Sequence, residues 1–123
     1  MLALAVIFVG VHYAIAQERL RSRKYLCDLY QKTNREFFDG QLPEVVLEVR
    51  DLSGQNAEGL TYYEVKDGIV IGLVIALDPR WNASEGEAVD TMRHEACHVA
   101  TWEEQPAHGP LFQECMKRFE KGK

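Results

Sequence analysis

"SEGEAVDTMRHEACHVATW", residues 84–102, is the stretch on which the reading of this chain turns. Ser84 stands three residues before Glu87, the spacing of a capping box: a serine oxygen takes a free amide of the helix's first turn and the glutamate reaches back. Val89, Met92, Ala96 and Val99 then recur every three to four residues. The stretch therefore predicts a helix from Ser84 to about Trp102 with one apolar stripe. Each helical residue turns about 100°, so His94 and His98 point about 40° apart, one turn above each other. Glu95 lies on the edge of the same face.

Working outward, Pro106, Gly109 and Pro110 break the chain after this helix. Leu111, Cys115 and Phe119 then mark a short terminal helix with Pro110 in its first turn. On the other side, "LTYYEV" (60–65) and "IVIGLVIAL" (69–77) read as two strands joined by an Asp67-Gly68 hairpin turn. "SGQNAEG" (53–59) is a loop, and "VVLEVR" (45–50) alternates as a half-buried strand. Residues 18–38 read as a helix whose stripe is Leu26, Leu29 or Tyr30, Thr33 and Phe37, stopped by Asp39-Gly40. The order is helix, three strands, helix, helix. That is an α+β domain with an N-terminal helix, a small three-stranded sheet, the motif-bearing helix and a short C-terminal helix.

With 123 residues, 46% of them hydrophobic, the chain suits one domain. Its net charge of −5 argues against intrinsic tight nucleic-acid binding. The local basic cluster Arg19, Arg21, Arg23 and Lys24 reads as a solvated helix face. Cys27, Cys97 and Cys115 form no C-x-x-C pair, which excludes a cysteine zinc ribbon. Cys97 reads as a small buried hydrophobe. In an oxidising compartment Cys27 and Cys115, on the first and last helices, could pair. Residues 1–16, "MLALAVIFVGVHYAIA", are apolar from 2 to 16 except His12, and Ala14-Ile15-Ala16 has the small-x-small form that precedes signal-peptide cleavage, here before Gln17. The expectation is a signal peptide or membrane anchor over 1–16 and the domain over 17–123. Export or membrane attachment is expected, with a cytoplasmic location as the alternative.

The chemistry concentrates at residues 94–98. Two imidazoles stacked on one helix face can ligate one ion, and the glutamate between them can reach a water there without being a ligand, which is the mechanical content of H-E-x-x-H. Two histidines that merely share a helix are the plain alternative. A reactive zinc needs a third protein ligand and an open position. Glycine at 101 and histidine at 104 would extend the motif along the metzincin pattern; the chain has Thr101 and Glu104. Glu103 and Glu104 lie too close along the same helix. Two candidates stay open, Glu114 and His108, and His108 is preferred because the break at Pro106 lets the chain reverse towards the helix.

"NREFFDGQLP" (34–43), "HEACHVATW" (94–102) and "HGPLF" (108–112) resemble, in order and spacing, the SprT-like or Spartan-type zinc metallopeptidases. Gly59 and "IVIGLVIAL" occupy the intervening places, and the resemblance covers about residues 25–120. It implies a zincin-like minimal fold, Zn2+ held by His94, His98 and His108, and Glu95 as the catalytic residue. Asn34 would fix the turn at Gly40. Members of the family commonly carry a cysteine zinc ribbon or DNA-binding tails, and neither follows Leu111 here. The cutting of proteins crosslinked to DNA therefore carries over less well than the bond-cutting chemistry.

The expected function is a zinc-dependent endopeptidase acting on unfolded or extended protein, with Glu95 as general base for a zinc-bound water. The alternative is a non-catalytic zinc-binding module for protein interaction, in which Glu95 would have no use. Tyr62 and Tyr63 read as packing residues in preference to oxyanion donors. Asn82-Ala83-Ser84 fits a glycosylation sequon, but Ser84 is better used as a helix cap.

Overall fold

The computed structural model describes residues 22–120. Helix α1 (Arg23–Phe38) opens at Ser22, whose backbone is extended and whose hydroxyl accepts the Tyr25 N–H at 3.1 Å. The sequence pattern placed this start at residue 18; a capping serine needs non-helical φ and ψ, so the helix can begin only after Ser22. Tyr25, Leu26, Leu29, Tyr30, Thr33 and Phe38 form its buried face. Phe38 reaches the core in place of Phe37, which is half-buried with its ring against Phe119 at 4.8 Å. Asp39 (φ 52°) and Gly40 (φ 71°) both turn left-handed and end the helix. Asn34 clamps the return, its Nδ2 donating to the Leu42 carbonyl at 3.2 Å and its Oδ1 accepting the Leu42 N–H at 3.0 Å.

The strands are β1 (Val46–Val49), β2 (Gly59–Lys66) and β3 (Ile69–Leu77). Asp67 (φ 52°) and Gly68 (φ 79°) supply the two left-handed residues that a tight two-residue hairpin turn demands. The sheet order is β1-β3-β2, with β1 parallel and β2 antiparallel to β3. The long central strand thus has partners on both sides, and Val74, Ile75, Ala76 and Leu77 are buried. Gly59, Thr61 and Tyr63 line the β2 face that meets the motif-bearing helix, because alternate residues of a strand share a face.

Between β3 and that helix, Asp78 is fully buried. It accepts the N–H groups of Leu52 and Arg80, each at 2.9 Å, and the Arg80 guanidinium at 2.7 Å. Asn82 donates to the carbonyls of Glu58 and Asp78 at 3.0 and 2.7 Å. Its amide nitrogen is spent inside the joint and the residue is buried, so the Asn82-Ala83-Ser84 triplet is structural. Helix α2 (Glu85–Ala100) follows, with the Ser84 hydroxyl accepting the Glu87 N–H at 3.1 Å and donating to Glu87 Oε1 at 2.8 Å. The capping box closes through the serine hydroxyl.

Helix α3 (Pro110–Glu120) buries Phe112, Cys115 and Phe119, whereas Leu111 is 63% exposed. The spacing explains the correction. A row at 111, 115 and 119 drifts about 40° at each step of four, while steps of three and then four keep 112, 115 and 119 on one face. A disulfide joins Cys97 to Cys115 with their Cα atoms 5.8 Å apart, and Cys27 is free. The pairing of Cys27 with Cys115 is thus overturned, and Cys97 is more than a packing residue: α3 lies along the Cys97 side of α2. Cys27 instead lines a surface with Pro43 and Leu47.

Two apolar clusters result. Leu26, Leu29, Leu47, Ile75, Leu77 and Met92 bind α1, the sheet and α2 together. Phe38, Ala96, Cys97, Phe112, Cys115 and Phe119 bind α3 to α2 and to the end of α1. Each large apolar side chain so buried contributes about 1.5–3 kcal/mol before the entropy of ordering is counted. The expected signal or anchor over residues 1–16 lies outside the described residues, as do Arg19 and Arg21. Arg23 and Lys24 open α1, with Lys24 paired to Asp28 at 2.9 Å on the exposed surface. Among the described residues no helix is long and apolar enough to cross a membrane.

Candidate metal centre

His94 and His98 project from the same face of α2, their ring centroids 4.9 Å apart. The helix ends at Thr101, whose hydroxyl donates to the Cys97 carbonyl at 2.7 Å. The chain then reverses. Glu104 lies past the helix end, and its carboxylate accepts the N–H groups of Leu111 and Phe112 at 2.7 and 3.0 Å, capping α3. Gly109 makes this approach possible, since a Cβ there would stand 2.8 Å from the Glu104 carboxyl carbon. His108, just before it, adopts a left-handed φ of 65°. Its imidazole is thereby turned back over α2.

His108 Nε2 lies 2.9 Å from His98 Nε2 and 3.2 Å from His94 Nε2. One ligand atom from each residue falls within 4.8 Å of the others, a group able to hold a metal ion. Nitrogens bound tetrahedrally at about 2.0–2.1 Å from one zinc lie about 3.3 Å apart, so the donor set fits that ion without rearrangement of the backbone. The buried ring of Phe112 packs against all three imidazoles, with centroids 4.5–4.9 Å away. Burial, followed by the neighbouring His108, lowers the His94 pKa; burial and then the other two histidines push that of His98 down to about 4. Neutral imidazole is the form that binds metal. Glu114, the other candidate ligand, is largely exposed and pairs with Lys117 at 3.3 Å.

Glu95 is 4% exposed. Thr61 donates to its Oε1 at 2.9 Å, and its Oε2 stands 3.9 Å from His94 Nε2. Burial raises its pKa to about 7, against the opposing hydrogen bond from Thr61. Gly59 admits the carboxylate: a Cβ at that position would lie 2.7 Å from Thr91 Cγ2 and 3.1 Å from Glu95 Oε2. The arrangement places one proton acceptor beside three convergent nitrogens, in a cleft of about 410 Å³ lined by Gly59, Thr91, His94 and Glu95.

All four residues singled out from the sequence, His94, Glu95, His98 and His108, therefore meet. The two tyrosines do not join them. Tyr62 donates to Glu48 at 2.9 Å and accepts from Arg50 at 3.0 Å on the opposite face of the sheet, and the Tyr63 hydroxyl donates to the Trp102 carbonyl at 3.1 Å. The roles of Thr61, Glu104 and Phe112 escaped the sequence reading. The four-residue step from His108 to Phe112 was a usable signal, since it puts a ring one helical turn beyond the imidazole. Nothing in a single sequence pairs Thr61 with a residue 34 positions away.

Comparison with curated proteins and comparison with solved structures each found no significant match. A family model, the SprT-like family, matches residues 26–123, which take in all but the first three residues of α1, the sheet, both later helices and every residue of the histidine cluster. By that match the chain belongs to the SprT-like family.

Proposed function

We propose that this chain is a zinc-dependent endopeptidase. The observation that carries the reading is the placement of Glu95: a buried carboxylate, held by Thr61, adjoining the three imidazoles with its Oε2 3.9 Å from His94 Nε2. Three histidines alone would serve any structural metal; a buried acceptor beside them is what general-base chemistry adds. His94, His98 and His108 would hold zinc, which supplies a Lewis acid to polarise a carbonyl and acidify a water. Glu95 accepts a proton from the attacking water as the carbon–oxygen bond forms. It returns that proton to the amide nitrogen as the carbon–nitrogen bond breaks. Phe112 holds the imidazole planes, and Thr61 keeps the carboxylate from turning away.

The substrate of this reading is extended or unfolded protein. Among the described residues nothing pairs with the outer edge of β2, which runs past Glu95, so an extended chain can add to it through backbone hydrogen bonds. The net charge of −5 supports protein over nucleic acid as the partner. The disulfide supports an oxidising compartment and, with the apolar residues 2–16, export or membrane attachment.

The decisive experiment pairs metal content with turnover of an unfolded protein such as reduced casein, in wild type and Glu95→Gln. The variant should keep its zinc and lose about 10²–10⁴-fold in turnover, the usual value of general-base catalysis. Equal turnover removes Glu95 from the mechanism. Zinc retention with no turnover in either protein, across a panel of substrates, favours the binding module.

A further inference from the structure

We infer that the recess formed by Tyr63, Leu73, Thr101, Trp102 and Ala107 beside His98 is a specificity pocket for a bulky apolar side chain of the substrate, one or two residues from the scissile bond. This inference rests on the peptidase reading and names the segment it selects. Tyr63 lies two residues beyond Thr61 on the same face of β2, about 7 Å along the strand. Trp102, just past the end of α2, meets it there: the Tyr63 and Trp102 rings contact edge to face at 5.4 Å, and the Tyr63 hydroxyl donates to the Trp102 carbonyl at 3.1 Å.

That hydrogen bond consumes the phenol's proton, and the Thr101 hydroxyl is spent on the Cys97 carbonyl. Thr61, His98, Glu104 and Gln105 also line the recess. The Thr61 hydroxyl donates to Glu95 and the Glu104 carboxylate accepts two α3 amides, so the rings of Tyr63 and Trp102 with Leu73 are what the recess offers an apolar side chain. Tyr63 is 40% and Trp102 46% exposed, so both rings remain open to a ligand while touching each other. The recess encloses about 150 Å³, room for one large side chain, and shares the His98 ring with the metal centre. An extended peptide advances about 3.3 Å per residue, so a side chain reaching this recess belongs to a residue close to the bond held at the histidines. Beyond the pocket the surface stays apolar: Val65, Val70 and Ile71 of the hairpin are each more than half exposed. The occupant is thus an apolar segment of an unfolded chain, the kind a folded substrate keeps inside.

The test uses fluorescein-labelled peptides identical except for Phe or Ala at each position in turn. Cleavage is measured with the zinc-loaded wild type, and binding by anisotropy with the Glu95→Gln protein. At one position relative to the cut, Phe should be preferred over Ala by about tenfold or more, the discrimination an apolar pocket delivers. The same peptides should show that preference in binding. In Trp102→Ala and Tyr63→Ala, checked for folding by circular dichroism and zinc content, the Phe-to-Ala ratio should fall towards one, and Trp102→Phe should restore it. Cleavage with no preference at any position overturns the pocket and leaves the peptidase reading standing. A ratio unchanged in both alanine variants also overturns it. Preferential binding with no cleavage keeps the pocket and removes the peptidase reading.

Discussion

His94 and His98 reach the metal centre by one route, and His108 by another. The first two are four residues apart on α2, and the helix itself sets their separation. His108 rides on the connection to α3, where a left-handed backbone, the Glu104 cap, the close approach at Gly109 and the Cys97–Cys115 disulfide all act on one turn of chain. The disulfide closes a loop between residues 97 and 115, and His98, Glu104 and His108 all lie within it. The difference teaches that a ligand pair on a helix needs only helix propensity and packing. A third ligand from irregular chain needs separate restraints, each of which can be removed without touching a ligand.

The sharpest break removes the third ligand. His108→Ala should lose zinc affinity by more than the 10–100-fold typical of a lost outer-shell partner, and Glu114→Ala should keep it; competition with a chromogenic chelator reads both. Zinc lost by Glu114→Ala and retained by His108→Ala would reverse the assignment. Next comes the crosslink. Cys115→Ser frees a loop whose closure is worth about 3 kcal/mol, and a kcal/mol shifts the melting temperature of a domain this size by about 4–8 °C. Melting should therefore fall by more than 10 °C in oxidised protein, with zinc retention weakened as well. Cys27→Ser should change neither, because Cys27 is free.

A smaller effect compares two caps of similar chemistry. Ser84→Ala and Glu104→Ala each remove a side-chain cap and should each cost about 1–2 kcal/mol in urea unfolding. Only Glu104→Ala should also lower zinc affinity, by about 10–100-fold, because only that cap holds a ligand-bearing turn. Equal zinc affinity in the two variants would show that the His108 turn holds itself. The mildest perturbation is acid, at the joint that sets α2 on the sheet. Arg80, with the Leu52 amide, holds the Asp78 carboxyl below its ordinary value. A depressed carboxylate contributes stability that is fully present above its unfolded pKa of about 3.9 and declines as pH falls from there towards the folded value. Hydrogen exchange at the Leu52 and Arg80 amides should accelerate over that acidic range, and Asp78→Asn should remove the dependence. An unchanged profile in the variant would place the titration elsewhere.

Much of this molecule was determined by sequence alone, where the governing interactions are local. The period of three to four set α2 and its apolar stripe. Ser84 and Glu87 set its start, Asp67-Gly68 set the hairpin, and the four-residue step set the His94–His98 pair. Three spaced blocks carried the family and, by resemblance, His108. Tertiary structure decided what depends on residues distant in the chain: the insertion of β3 between β1 and β2, the meeting of Thr61 with Glu95, and the choice of Cys97 as the partner of Cys115. It also turned Phe112 inward in place of Leu111 and set Glu104 on the start of α3. Local rules predict which backbone a segment prefers, because each residue's φ, ψ and neighbouring turns are written in adjacent letters. The contacts that convert three histidines and a glutamate into one site follow from how whole elements pack, and there many sequences satisfy the same local pattern while only the assembled core selects among the partners.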